Sequence, residues 1–186
     1  MAVKERVRVG GRSARIQAEV HKAVKDLQRE ADRSELTVPL IAGRAGVTPS
    51  TIYRRWGDLA ELMADVAAER LRPIADPEET GAQASDLKAY VEQYAEEFSS
   101  PAGRAMLRDI FSASTDGVYT GQCCSYTYDH IRQIAARAEA RGERPIDVQD
   151  TVDHVIAPIM YRILFGGGEL NEAYWQRLVD RYLAVI

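Results

Sequence analysis

Apolar residues recur at three- and four-residue spacings almost throughout the chain, and period-two alternation is nearly absent, a pattern that predicts an all-helical protein. A first helix starts near Ser13, with Ile16, Val20, Ala23, Val24, Leu27 and Ala31 in one stripe. Thr37 suits the N-cap of a short second helix that runs through Ala45, and Pro39 is tolerated in its first turn. Gly46 stands where the chain must turn with positive φ, and Val47 packs back inward. Thr48 caps a third helix with Pro49 at its first position, ending near Trp56. Asp58 and Glu61 have capping-box spacing at the head of a fourth helix that carries Leu59, Leu62, Met63, Val66 and Leu71.

Residues 72–81 form a proline-, glycine- and acid-rich connection. Further helices are predicted over 85–98, 102–113 and 119–141, separated by Pro101, Asp116-Gly117 and residues 142–145. The last two segments, 152–165 and 172–185, are the most apolar. Val152, Val155, Ile156, Ile159, Met160 and Ile163 form one broad stripe, in which Pro158 predicts a kink. Gly166-Gly167-Gly168 closes that helix, and Tyr174, Trp175, Leu178, Val179, Tyr182 and Leu183 form the second stripe. The total is about nine helices.

Composition narrows the class. Hydrophobic residues make up 46% and charged residues 28% of 186, which is ordinary for a globular protein and too apolar for wholesale disorder. The apolar run 155–161 is far short of the ~20 residues that span a bilayer, so no membrane role is expected. Residues 1–10 carry Lys4, Arg6 and Arg8 with no apolar segment behind them, unlike a secretory signal, so a cytoplasmic location is expected. Adjacent Cys123 and Cys124 suit neither a disulfide framework nor a spaced zinc site. No HExxH, P-loop, GxSxG or paired ExxH motif is present, and the only histidines are His21, His130 and His154. No catalytic role, cofactor or metal is therefore expected. The net charge of −4 hides a split: residues 1–56 hold 12 Lys+Arg against 6 Asp+Glu, whereas residues 57–186 hold 12 against 22. Such asymmetry suggests that the first part meets a polyanion.

Thr37 to Trp56, TVPLIAGRAGVTPSTIYRRW, concentrates the chemistry. Two short helices meet at a glycine turn with Ile41, Ala42, Ala45, Val47 and Ile52 at inward spacing, a helix-turn-helix pattern. The small Ala42 lets the helices approach, and Ile52 plugs the angle between them. Outward on the second helix lie Ser50, Thr51, Tyr53, Arg54 and Arg55. Hydroxyls and backbone N–H groups suit phosphate oxygens, and arginine suits the O6/N7 edge of guanine in a major groove about 12 Å wide.

Ile41-Ala42, Ala45-Gly46-Val47-Thr48, Ser50-Thr51-Ile52-Tyr53 and the aromatic Trp56 together resemble the DNA-binding segment of the TetR family of bacterial repressors. The resemblance implies an N-terminal three-helix DNA-binding domain over 1–57 and a C-terminal ligand-binding and dimerisation domain over 58–186. It also implies a homodimer that binds a palindromic double-stranded operator and is released by a small molecule. Carried over by position, Thr37, Thr48, Thr51 and Tyr53 fall where such proteins hold the DNA backbone. Pro49, Ser50, Arg54 and Arg55 fall where they read sequence or add backbone contacts. Leu59 departs from the pattern, since many relatives place a phosphate-holding lysine there, and Arg44 or the arm residues Lys4, Arg6, Arg8, Arg12 and Arg15 are candidates to compensate.

The same resemblance places an effector cavity among the helices of residues 58–141. Tyr90, Tyr94 and Phe98 share one face at four-residue spacing, and Met106, Phe111, Tyr126, His130 and Tyr161 are further candidates for its lining. An apolar or aromatic effector of unknown identity is expected. The last two stripes look too wide for burial within one subunit, which makes Val155, Ile159, Arg162, Ile163, Tyr174, Trp175, Leu178 and Tyr182 candidates for the dimer interface. The competing reading is a helical small-molecule-binding or interaction protein with non-specific nucleic-acid affinity.

Overall fold

The computed structural model describes residues 11–113, 117–166 and 170–185; Lys4, Arg6, Arg8, Asp116, Gly167 and Gly168 lie outside the described residues. Every regular element among them is helical. The head comprises α1 (Arg12–Glu30), a single 3₁₀ turn (Arg33–Glu35), α2 (Val38–Ala45) and α3 (Pro49–Trp56). The body follows with α4 (Leu59–Arg70), α5 (Gln83–Ser99), α6 (Pro101–Ser112), α7 (Val118–Ala140), α8 (Val148–Thr151), α9 (Ala157–Phe165) and α10 (Glu172–Leu183). Side-chain caps start many of these helices. Thr37, Asp58, Ser100, Asp147 and Asn171 each accept a hydrogen bond from a backbone N–H three residues on, satisfying a donor that the helix leaves unpaired.

Pro158 does not break its helix. Between α8 and α9 the chain passes through a π-helical stretch, Val152–Ile156, in which the Ala157 N–H reaches back to the Val152 carbonyl. Widening by one residue accommodates a proline, which has no N–H to donate to the preceding turn and whose ring would otherwise crowd that turn's carbonyl. The His154 ring nitrogen Nδ1 meets the Asp150 carbonyl at 2.8 Å, one turn back on the same segment.

Two large hydrophobic clusters fill the molecule. The first joins Val20, Val24 and Leu27 of α1 to Ile41 and Ala42 of α2, Ile52 and Trp56 of α3, and Leu62, Met63 and Val66 of α4. The second joins Leu87, Val91 and Tyr94 of α5 to Ile131 and Ile134 of α7, and to Val155, Ile159, Ile163, Trp175, Val179 and Tyr182. This overturns part of the expected dimer face. Val155 and Ile159 are wholly buried, and Ile163, Trp175 and Tyr182 nearly so, all inside one subunit. Four-residue spacing points 155, 159 and 163 the same way, towards α5, where they complete the subunit's own core. The Tyr182 hydroxyl is also spent internally, 3.1 Å from the Asp147 carbonyl and 3.0 Å from the Thr151 hydroxyl. What remains outside is the opposite phase of α9, with Tyr161 61% and Phe165 71% exposed and Leu164 beside them. Arg162 and Tyr174 stack 3.5 Å apart, and both are partly exposed, as is Leu178.

The crossing of α5 and α6 depends on Gly103. A Cβ there would lie 2.1 Å from the Glu97 carbonyl oxygen and 2.8 Å from the Phe98 Cα, which are backbone atoms that cannot swing aside. Gly103→Ala must therefore part the two helices, and we expect a loss of about 1–3 kcal/mol in urea unfolding, the usual cost of overpacking. Gly121→Ala, with open space at its Cβ position, should show no such loss.

Candidate nucleic-acid interface and effector cavity

The turn between α2 and α3 has the backbone that its sequence requires. Gly46 takes φ 68° and ψ 29°, and the Val47 N–H donates back to the Ala42 carbonyl at 3.0 Å. Ile52 is fully buried beneath the turn, which orients α3 so that Pro49, Ser50, Tyr53, Arg54 and Arg55 are exposed. Thr48 occupies the N-cap position, but its hydroxyl does not cap. It lies 2.9 Å from the Ser50 hydroxyl and 3.0 Å from that of Thr51, so three hydroxyls gather at the start of α3. Arg12 and Arg15, on the first turns of α1, line a shallow cleft with Gly46, Thr48 and Thr51. One continuous surface thus carries guanidiniums, hydroxyls and the N-terminus of α3, which together suit a phosphodiester backbone.

Two of the expected arginines are not free. Arg44 forms a two-pronged pair with Glu30, at 2.9 and 2.6 Å, which raises its own pKa and lowers that of the carboxylate. Arg55 donates to the Ser13 carbonyl and hydroxyl at 3.1 and 2.6 Å and to the Gln17 side chain at 2.5 Å, and its guanidinium lies 5.2 Å from the Trp56 ring centre. It lashes α3 to α1. Arg54 has no such tie among the described residues and projects from the same helix.

Behind this surface lies a polar junction that the sequence reading did not foresee. His21, nearly buried on α1, sets Nδ1 2.6 Å from Glu69 and Nε2 2.9 Å from Asp65, both on α4. Asp65 also accepts from the Trp56 indole N–H at 2.7 Å and from Gln17 at 3.3 Å. With a carboxylate at each ring nitrogen, both nitrogens donate only in the imidazolium form. Burial acts to lower the His21 pKa, but the two carboxylates outweigh it and raise the value above 6.5. Burial acts upward on Asp65 and Glu69, but the bonds from His21, joined by Trp56 on Asp65 and by Lys25 on Glu69, prevail and lower both. The imidazolium's stabilisation is therefore fully present below pH 6.5 and is lost as pH rises through the folded-state value. The carboxylates' share is lost at the other end, as pH falls through their lowered values. Urea midpoints of the wild type should thus decline as pH rises above 6.5, and His21→Gln should remove most of that slope.

The body holds two partly open cavities that share Tyr94, Phe98, Cys123 and Thr127. The first, about 260 Å³, is lined by Tyr90, Tyr94, Phe98, Tyr126 and His130 together with Glu97, Arg70 and the stretch 71–75. Burial lowers the His130 pKa, leaving a neutral ring that meets Tyr90 edge-on at 5.4 Å. Burial also raises Tyr90 and Tyr94 well above ordinary phenols, so both keep their protons, and pushes the Cys123 thiol up to about 11. The second, about 220 Å³, lies between α6, α7 and α9, and its lining includes Leu107, Ile110, Phe111, Ile156 and Met160. No charged side chain borders it.

Six of the eight expected lining residues are therefore at a cavity wall, five in the first and Phe111 in the second. Met106 instead packs with Ala67, Leu71 and Ile110 at the foot of α4. Tyr161 faces away from both cavities, lying against Phe165 on the outer side of α9, because Ile159 and Ile163 take the inward phase. Leu107, Ile110, Cys123 and Thr127 also line the cavities and were not anticipated there, since aliphatic or small side chains at helical spacing read as ordinary core. Among the described residues no cluster of metal-binding side chains occurs, and no helix is long and apolar enough to cross a membrane.

A helix-turn-helix head on a helical body with internal cavities is the architecture of a transcriptional regulator. The chain belongs to the TetR family: residues 77–182 match the model of the tetracyclin repressor-like C-terminal domain. It is similar to the Bacillus subtilis (strain 168) uncharacterized HTH-type transcriptional regulator YdeS, with 27% identity over 173 residues that cover 86% of this chain and 85% of the relative. An uncharacterized HTH-type transcriptional regulator of Mycobacterium tuberculosis (strain ATCC 25618 / H37Rv) is 31% identical over 120 residues, covering 63% of this chain and 59% of the relative. Among solved structures, the TetR family transcription regulator SCO0332 superposes with a TM-score of 0.70 at 23% identity, covering 92% of this chain and 98% of that one. The flavonoid-responsive regulator FrrA does so with a TM-score of 0.60 at 22% identity, covering 92% and 95%.

Proposed function

We propose that this TetR-family regulator is a cytoplasmic repressor that binds a palindromic operator as a homodimer and releases it when a small molecule enters the body. Residues 1–57 serve as reading head and 58–186 as sensor and dimer scaffold, with α4 common to both. The observation that carries the reading is the surface on which Thr48, Thr51 and Arg54 border the same shallow clefts as Arg12 and Arg15 of α1, with Ser50 and Tyr53 exposed on α3. That surface sits on the basic part of the chain, and the acidic part carries the cavities. Thr37, Thr48, Thr51 and Tyr53 serve as backbone-holding groups, with Pro49 beside them. Arg55 serves by holding α3 in place, and Arg44 reaches DNA only by leaving Glu30. No catalytic step and no cofactor enters this function.

A duplex selected by the wild type from a random pool supplies the operator for the test. Affinity should fall steeply with salt, with a slope of about −0.9 per phosphate neutralised, and Arg54→Ala should flatten that slope by about one contact or relax specificity at one base pair. Equal affinity for selected and unrelated duplexes would favour non-specific nucleic-acid binding instead.

The dimer face under this reading is the outward phase of α9 (Tyr161, Leu164 and Phe165), flanked by Arg162, Tyr174 and Leu178. An apolar patch of this kind on a helical body suits isologous pairing about a two-fold axis. Tyr161→Glu combined with Phe165→Glu should leave a folded monomer in analytical ultracentrifugation, with operator affinity greatly reduced.

A further inference from the structure

We propose that the cavity beside α6 takes an uncharged, apolar effector and that α6 carries its presence directly to the DNA-reading head through the Asp109–Arg33 ion pair. This rests on the regulatory reading above and names the chemistry and the route of its signal.

The chemistry follows from the wall. Leu107, Ile110, Phe111, Ile156 and Met160 supply hydrocarbon, and the polar atoms nearby are hydroxyls and thiols. An ion settling against this wall would give up part of its hydration and find no counter-charge, which is unfavourable. At about 220 Å³ the space is smaller than the ~300–1,000 Å³ of pockets that hold drug-sized ligands, so it fits a ring system or a short chain.

The route follows from the phase of α6. Leu107, Ile110 and Phe111 share one face, while Asp109 points the other way. There its buried carboxylate accepts from Arg33 Nε at 2.6 Å, and the Arg33 terminal nitrogen adds a second contact. Arg33 lies on the 3₁₀ turn between α1 and α2, within the head. The start of α6 is fixed by the Ser100 cap and by the backbone approach at Gly103, so any tilt of α6 is greatest in its later turns. Those turns hold both the cavity wall and Asp109. Ile110 meanwhile packs on Ala67 of α4 and on Leu71 just beyond it, a contact that resists displacement towards α4, whereas on its other side α6 meets the head through the Asp109–Arg33 pair.

Cys124 borders the same cavity and is solvent-exposed, which provides a handle of known chemistry. In a Cys123→Ala background, benzyl methanethiosulfonate transfers its benzylthio group to the Cys124 thiolate as methanesulfinate leaves. The 2-sulfonatoethyl reagent places a charged group by the same reaction. Hydrogen exchange without DNA then reads both ends of the route. The benzyl adduct should slow exchange several-fold over 107–112 and change it several-fold over 33–37, whereas the charged adduct should do neither. Replacing the pair by apolar side chains of similar size, Arg33→Met with Asp109→Leu, should keep the fold and the effect over 107–112 but abolish the change over 33–37. Benzyl labelling should also weaken binding to the selected duplex at least tenfold, and only where the pair is intact. The proposal is overturned if the benzyl adduct leaves 107–112 or 33–37 unchanged, if the charged adduct acts equally, or if the apolar pair transmits as the wild type does. Failure to bind any duplex would overturn the repressor reading alone, because the exchange experiment needs no DNA.

Discussion

One helix belongs to two cores, and the organisation of the molecule depends on it. The first turns of α4 bury Leu62, Met63 and Val66 with α1, α2 and α3, while Ala67 near its end and Leu71 just beyond it are buried with α6. Its polar positions are bound too, Asp65 and Glu69 gripping His21 and Trp56. Close-packed interiors do not deform continuously, so a change in the body reaches the head as a shift of whole helices rather than fading over distance.

The head's own rigidity is built from charges as well as from carbon. Arg55 ties α3 to α1, Gln17 passes from Arg55 to Asp65, and Asp65 closes on Trp56. A helix of only eight residues is marginal in isolation. The direction in which α3 presents Ser50, Tyr53 and Arg54 is therefore set by this lattice and by the buried Ile52 together. A guanidinium spent in this way is lost to DNA, but the presentation of its neighbours gains definition, which is what shape-matching to a groove demands.

In the body, chemistry divides by location. Polar and titratable groups (Arg70, Glu97, His130) border one cavity, and hydrocarbon borders the other, with Tyr94 and Phe98 between them at a ring separation of 4.6 Å. The neutral His130 and the protonated phenols add uncharged hydrogen-bonding groups to a first cavity that Arg70, Arg72 and Glu97 also line. An effector long enough to bridge both would meet polar contacts at one end and none at the other.

Local features were legible from residue order. Helix identity, the Thr37 and Asp58 caps, the positive φ at Gly46 and the burial of Ile52 all follow from spacings of a few residues, because a helix relates i to i+3 and i+4 whatever surrounds it. The aromatic ladder of Tyr90, Tyr94 and Phe98 was legible for the same reason. Partnerships between distant elements were not. A wide apolar stripe on α9 does not declare which half faces its own subunit; the positions of α5 and α7 assign Val155 and Ile159 to the core and leave Tyr161 outside. Long side chains behave alike: Arg44 meets Glu30, Arg55 meets Gln17 and Arg33 meets Asp109 across 14, 38 and 76 residues of sequence. Gly103 reads as a weak point in a helix until the Glu97 carbonyl is brought against it. Periodicity is a property of a single helix, whereas these choices depend on how helices cross, and packing alone sets that.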